Sequence, residues 1–268
     1  MKIVEPEVKA LARTTIMPSA IEHHMEIQKE STDAETLTVF AGRSCYESWI
    51  RPNEKTRKDK DYLERTLFEQ GHWSIAEHAS VTFYITGVSR AFTHELIRHR
   101  HLSYSQLSQR FVDSSDFNVV APPAFYDFDS AALDRTEYVA EMAAAKYKAQ
   151  VESLTKQGLG RKQAREAARA FLPNMAETRI VVTGNLRAWH EFCQRRMQPD
   201  ADAEIQKVAG MIYDELHHVA PAIFPKEKSS DAGEAITWEE YTQRIYEALL
   251  NEVDAIKEET GKSQGRIG

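Results

Sequence analysis

The sequence predicts a helix-rich protein of mixed class, in which amphipathic helices enclose a few short strands. Three observations carry this. Apolar residues recur at helical spacing over long stretches, most clearly in Ala201–Val219, where Ile205, Val208, Ala209, Ile212, Tyr213 and Leu216 share one stripe. Two short runs, Val81–Thr86 and Thr178–Thr183, are rich in β-branched residues and read as strands. Each meets a glycine, Gly87 or Gly184, beyond which the period becomes helical. The chain has 268 residues, 42% apolar and 28% charged, and is long enough for one large domain with a full core.

In chain order, residues 7–16 have weak strand character. Asp33–Cys45 reads as a helix capped within Ser31–Asp33. Arg51–Asp61 is a charged surface excursion. In Asp61–Gln70, Tyr62, Leu63, Leu67 and Phe68 fall at helical spacing, and Gly71 follows where a left-handed stop belongs. The strand Val81–Thr86 is predicted to break at Gly87. The helix after it places Val88, Ala91, Phe92 and Leu96 on one face and leads into an arginine-rich loop. Asp113–Asp129, with Pro122 and Pro123, reads as a structured loop. Ala131–Gln157 is a long alanine-rich helix ending near Gly158 and Gly160, and Arg161–Phe171 is a second helix stopped ahead of Pro173. Thr178–Thr183 is a strand broken at Gly184, and Asp200 is the expected N-cap of Ala201–Val219. The core is placed at residues 1–224, a polar linker at 225–236 and a last helix within 237–259, where Thr237 and Glu240 have capping-box spacing. The tail 260–268 is expected to be disordered.

Net charge is −7, which argues against broad binding to nucleic acid or anionic membranes, so neither is an expected partner. Met1–Ile16 lacks the unbroken apolar core of a signal peptide, and no apolar run approaches the roughly 20 residues that span a bilayer. Cys45 and Cys193 form neither a disulfide framework nor a thiolate cluster, so the reducing cytoplasm is the expected location.

Against this acidic background, Arg98, Arg100 and Arg110 crowd into thirteen residues with His99, His101, Ser103, Ser105, Gln106 and Ser108. Guanidinium suits phosphate and flat carbonyl-bearing rings, because it stays charged and offers a planar fork of donors. A solvated basic helix end explains the same composition. Thr86-Gly87-Val88-Ser89-Arg90-Ala91-Phe92 is echoed by Thr183-Gly184-Asn185-Leu186-Arg187-Ala188-Trp189, and each copy leads into a helix that ends in arginines, Arg98 and Arg100 or Arg195 and Arg196. Chance similarity of two strand–turn–helix units is one account; two related units delivering guanidinium groups is the other.

Metal chemistry finds no support. His94 and His99 stand at i and i+5, one residue past the spacing that shares a helix face, and His72 with Glu77-His78 lacks the inverted spacing. No metal site is expected. Neither cysteine sits in a nucleophile motif, and the chain has no nucleophile elbow, P-loop or Gly-rich dinucleotide fingerprint.

Arg98-His99-Arg100, followed after seven residues by Ser108, resembles the defining motif of the flavin-dependent thymidylate synthases. Gln106 and Arg110 fit its longer form. Gly71-His72 with Glu77-His78 resembles the upstream segment. Glu177-Thr178-Arg179, Asn185-Leu186-Arg187-Ala188-Trp189 and Arg196 ahead of Glu204-Ile205 resemble the C-terminal half. The likeness covers roughly residues 8 to 224, and the last helix lies beyond it.

The resemblance implies an α+β fold, helix-rich around a small sheet, assembled as a homotetramer with sites between subunits. It implies reductive methylation of dUMP at C5 to dTMP, with 5,10-methylenetetrahydrofolate as carbon donor, FAD as cofactor and NADPH as reductant. Carried over by position, Ser74, Arg98, His99, Arg100, Gln106, Asn185, Leu186 and Arg187 match FAD contacts. Glu95, Leu96, Ile97, Arg98, Gln106, Leu107, Ser108, Gln109, Arg110 and Arg169 match the dUMP cradle, with Ser108 and Arg110 towards its phosphate. Arg196 matches the residue that acts on the uracil ring. Glu191 and Asp200 depart from the pattern, which commonly has an amide or imidazole at the first and an imidazole at the second.

Overall fold

The computed structural model describes residues 2–49 and 53–226. The linker beyond Lys226, the expected last helix and the tail lie outside the described residues. Strand β1 (Glu7–Arg13) and the short helix α1 (Pro18–Ile21) lead to α2 (Asp33–Ser44). Thr32 and Glu35 close a capping box at its start: Thr32 Oγ1 accepts from Glu35 N, and Glu35 Oε2 accepts from Thr32 N at 2.9 Å. Glu35 also accepts from Ala222 N at 2.7 Å, so a buried carboxylate ties this helix to the far end of the described chain. Burial raises its pKa.

Helix α3 (Asp59–Leu63) runs into a π-helical turn, Glu64–Glu69, and Gly71 takes φ +71 as the expected stop. A 3-10 turn, Trp73–Glu77, then leads to β2 (Ser80–Ser89). Here the structure corrects the sequence reading. The strand does not end at Gly87. Its register shifts between Ile85 and Val88, and Val88 and Ser89 go on to pair with Thr178 and Glu177. Gly87, at φ +65, is the pivot of a bulge, and a Cβ there would stand 1.9 Å from the Glu5 carbonyl oxygen.

Helix α4 (Arg90–Leu96) is therefore short, and Arg98 and Arg100 lie past its end. Ser103–Gln106, read as loop from its polar composition, is an edge strand, β3. Pro123–Phe128 within the expected loop is helical, α5. Helices α6 (Ala131–Lys156) and α7 (Arg161–Ala168) follow, with a 3-10 turn at Arg169–Phe171. Strand β4 (Glu177–Asn185) runs through Gly184, and α8 (Leu186–Arg196) and α9 (Ala203–Val219) complete the described fold. Asp202, not Asp200, caps α9, accepting from Glu204 N at 3.0 Å; Asp200 is exposed two residues earlier.

The sheet is antiparallel throughout, in the order β1-β2-β4-β3. Val81, Phe83 and Ile85 of β2, with Ile180 and Val182 of β4, turn one face inward. The opposite face carries half-buried polar positions such as Thr82 and Thr183, whose hydroxyls pair at 2.9 Å. The inward face packs on α8 and α9 through Trp189, Phe192, Ile205, Ile212 and Leu216, all buried. Trp189 satisfies its indole N–H on the Val81 carbonyl at 3.1 Å. The fold is thus α+β, helix-rich around a small sheet.

Gly87→Ala should destabilise the protein by about 2 kcal/mol or more, because it combines a strained φ with a backbone clash. Thermal unfolding checks this; an unchanged midpoint would contradict the bulge geometry.

Candidate active site

Antiparallel pairing of β2 with β4 decides where the functional side chains meet. Ser89, at the end of β2, lies opposite Glu177 at the start of β4, and Asn185, at the end of β4, lies opposite Ser80. The helices that follow these strands start from opposite ends of the sheet and run towards each other. Each start is capped by a side chain: Ser89 Oγ accepts from Phe92 N at 3.0 Å, and Asn185 Oδ1 accepts from Ala188 N at 2.8 Å. The echo in the sequence thus corresponds to two real strand–helix units. Their caps differ by one position, and only Gly87 has a positive φ.

Where α4 and α8 meet, Arg196 spans the gap. Its Nε donates to His99 Nε2 at 2.9 Å, one Nη donates to Glu95 Oε2 at 2.8 Å, and the other donates to the Glu95 carbonyl at 3.1 Å. A cation at this place suits the negative ends of both helix dipoles. Three of its five N–H donors are engaged and two remain for a ligand. The side chain is 18% exposed, so its field is only partly screened.

His99 accepts through Nε2, which places its proton on Nδ1. Burial lowers its pKa to about 4, with the neighbouring Arg196 and Arg195 pushing the same way. It is a neutral acceptor at physiological pH. Tyr104 of β3 closes the end of α4 from the other side, its hydroxyl lying 2.8 Å from the Leu96 carbonyl and 2.7 Å from that of His99. Burial pushes this phenol up to about 12. Gln106, two residues on, donates to Thr93 Oγ1 at 3.0 Å. The edge strand that the sequence concealed therefore pins the helix end carrying the motif.

A second group of cations lies at the start of α4 and along α7. Burial first, and then the proximity of Arg169, lowers the pKa of Arg90. Arg110 Nε lies 2.8 Å from Glu166 Oε2, an ion pair without the geometry of a hydrogen bond. Arg165 donates to the Phe111 carbonyl and to Asp113, strapping the segment after Ser108 onto α7. Leu107 and Gln109 line a small cavity of about 190 Å³ with Asp116, Asn118, Glu177 and Arg179.

Ser74 and Arg187 share a third place, an open groove of about 540 Å³ between the 3-10 turn and α8. One wall is aromatic: Trp73 stacks on His190 with centroids 3.8 Å apart, and Phe68 stands edge-on to Trp73. Arg187 donates to Glu77 Oε1 at 2.6 Å and to Glu191 Oε1 at 3.1 Å. These two carboxylates raise its pKa further. Trp73, His190 and Gln194 were not singled out from the sequence. The signal was present, since Arg187, His190, Glu191 and Gln194 are spaced to lie on one helix face.

The chain thus brings Arg196 together with Glu95 and His99, Arg110 beside Glu166 of α7, Arg169 near Arg90, and Ser74 together with Arg187. Leu96 and Leu186 are fully buried in the core, while Ile97 is exposed. Arg98 and Arg100 are exposed and make no side-chain hydrogen bond or ion pair among the described residues. Among the described residues, no hydrogen bond or ion pair joins Arg100, Arg169 and Arg196. Cys193 is buried and its thiol pKa is pushed well above the usual range, whereas Cys45 is exposed.

The family model described as thymidylate synthase complementing protein, Thy1, matches residues 26–222. A flavin-dependent thymidylate synthase of Mycobacteroides abscessus is 48% identical over 233 residues, covering 83% of this chain and 90% of that protein. One of Mycobacterium tuberculosis is 50% identical over 208 residues, covering 72% and 81%. The fold is like that of thymidylate synthase X from Helicobacter pylori, solved with FAD and dUMP, at TM-score 0.57 and 21% identity, covering 83% of this chain and 98% of that one. No helix among the described residues is long and apolar enough to cross a membrane.

Since the folded pKa of His99 lies below that of a free imidazole, the unfolded chain takes up the proton first. The contribution of this group to stability is complete above about pH 6.5 and is lost as pH falls towards about 4. NMR titration of the His99 ring should give a midpoint near 4; a midpoint near 6.5 would contradict its place beside Arg196.

Proposed function

We propose that this chain, which belongs to the thymidylate synthase complementing protein family, is a flavin-dependent thymidylate synthase that converts dUMP to dTMP. On this reading the methylene carbon comes from 5,10-methylenetetrahydrofolate, and NADPH is the reductant. The observation that carries it is the Arg196 fork: a nearly buried guanidinium, fixed by three hydrogen bonds, with two donors left over.

The chemistry explains why such a group is needed. C5 of uracil is a weak nucleophile, and it gains electron density when negative charge is favoured on the N3, O2 and O4 edge of the ring. A guanidinium about 4 Å away is worth on the order of 4 kcal/mol at an effective dielectric near 20. Spent in the transition state, that is nearly three decades in rate. Arg196 does this without accepting a proton. Glu95 and neutral His99 hold the fork rigid, so the field is in place before the reaction starts. Among the described residues no base is hydrogen-bonded to Ser108, which on this reading serves as a donor to the substrate, not as a nucleophile. Arg110 and Arg169 are the cations for the nucleotide phosphate.

The residues present fit FAD. Ser74, Arg187 and the Trp73–His190 wall offer donors and a flat surface in one groove. Exposed Arg98 and Arg100 offer unspent guanidinium groups next to His99. When bound, FAD would supply the hydride that reduces the transferred carbon; Arg98 and Arg100 would hold its charge, and neutral His99 would offer its Nδ1–H. Because Arg98, Arg100 and Arg169 point outward within one chain, the complete site on this reading forms between subunits of a homotetramer. Such an assembly needs no dinucleotide-binding domain.

Arg196→Ala should retain flavin and lose about three decades of thymidylate formation, assayed with dUMP, methylenetetrahydrofolate and NADPH. Undiminished turnover would remove its role. Cys45→Ser and Cys193→Ser should both stay active, since no thiolate attack is invoked; loss of activity in folded variants would bring a covalent mechanism back.

A further inference from the structure

Among the described residues lining the groove beside Ser74 and the Trp73–His190 wall, Arg187 is the one arginine or lysine, and it is doubly engaged. A guanidinium has two edges that grip an oxyanion with paired donors, one formed by Nε with an Nη, the other by the two Nη groups. Here Glu191 takes the Nε at 3.1 Å and Glu77 takes an Nη at 2.6 Å from a different element. Each edge therefore already has a carboxylate on it. The three side chains are between 42% and 46% exposed, so neither contact is locked into the core. Two carboxylates against one guanidinium leave this wall with net charge −1, where Arg187 alone would make it +1.

We propose that Glu191 and Glu77 act as an anion gate on Arg187: a phosphate-bearing ligand of the groove grips the guanidinium with paired donors only by displacing one of them. Glu191 is thereby a specificity-determining residue. It weakens binding of phosphate groups in general and leaves the groove to ligands whose flat ring also stacks against Trp73 and His190. Glu77 comes from the 3-10 turn and Glu191 from α8, so displacing Glu77 removes one tie between these elements and leaves the Trp73–His190 stack in place. The proposal rests on the flavin reading above for the identity of the ligand.

FAD binding, followed by quenching of flavin fluorescence at low and high ionic strength, tests it. Exposed ion pairs of this kind are weak, so Glu191→Gln should bind FAD about two- to fivefold more tightly than the parent protein. Glu77→Gln should do the same. Arg187→Ala should bind more weakly, with a reduced dependence on salt. Glutamine still offers an oxygen to the Arg187 Nε, and an unchanged melting temperature verifies that the variants fold. If both glutamine variants bind FAD as weakly as Arg187→Ala, the carboxylates position the guanidinium and the gate is wrong. Unchanged binding in both also overturns it. If the parent protein itself takes up no FAD, the flavin reading fails and the gate falls with it.

Discussion

Antiparallel pairing of β2 with β4 is the constraint on which the rest of the site depends. Two neighbouring strands that run in opposite directions send their following helices back over the sheet from opposite ends. Helices α4 and α8 must then approach with their C-terminal ends together. That junction gathers unpaired backbone carbonyls and the negative ends of two dipoles, and it calls for a cation. Arg196 meets the need by binding the Glu95 carbonyl, the Glu95 carboxylate and the His99 ring at once. The feature that stabilises the junction is the same one that leaves a fixed positive charge at a partly open surface. On the proposed reading, fold and reactivity are served by one side chain.

Charge balance separates the three cation-rich places. At the helix junction one carboxylate accompanies Arg196, and the imidazole beside it is kept neutral by burial. Along α7, Arg110 has a single exposed partner, while Arg90 and Arg169 stand close enough to repel. In the groove, Arg187 is outnumbered by carboxylates. On the proposed assignment of ligands, repulsion between Arg90 and Arg169 is relieved by a phosphate, and the junction favours negative charge on the edge of a ring. The groove instead favours stacking over ionic attraction.

Much of this was legible in the sequence, and what was missed has physical reasons. Long periodic segments such as Ala131–Lys156 and Ala203–Val219 announce themselves, because their apolar faces pack on the rest of the chain. The Arg98–Arg110 cluster stood out by charge in an acidic chain, whereas Arg196 was marked by the repeated strand–helix unit and by the family resemblance. Strand β3 did not, since only Tyr104 and Gln106 turn inward and Ser103 and Ser105 face solvent, leaving no apolar alternation to read. Gly87 is ambiguous in sequence, because the same positive φ serves a turn that ends a strand and a bulge within one; the pairing of Val88 and Ser89 decides for the bulge. Asp200 and Asp202 are both good capping residues, and only the backbone selects the second. The ion pairs of Arg187 with Glu77 and of Arg110 with Glu166 join residues far apart in the chain, and no local pattern encodes them.

The central claim is that one site holds a flavin beside a pyrimidine nucleotide under the field of Arg196. Titration of the FAD-loaded protein with dUMP, read by visible absorbance, addresses it most directly. The account predicts a saturable shift of the flavin bands, because a uracil ring seated against the isoalloxazine changes its surroundings. A protein that binds both molecules with no change in the spectrum at saturation would contradict it.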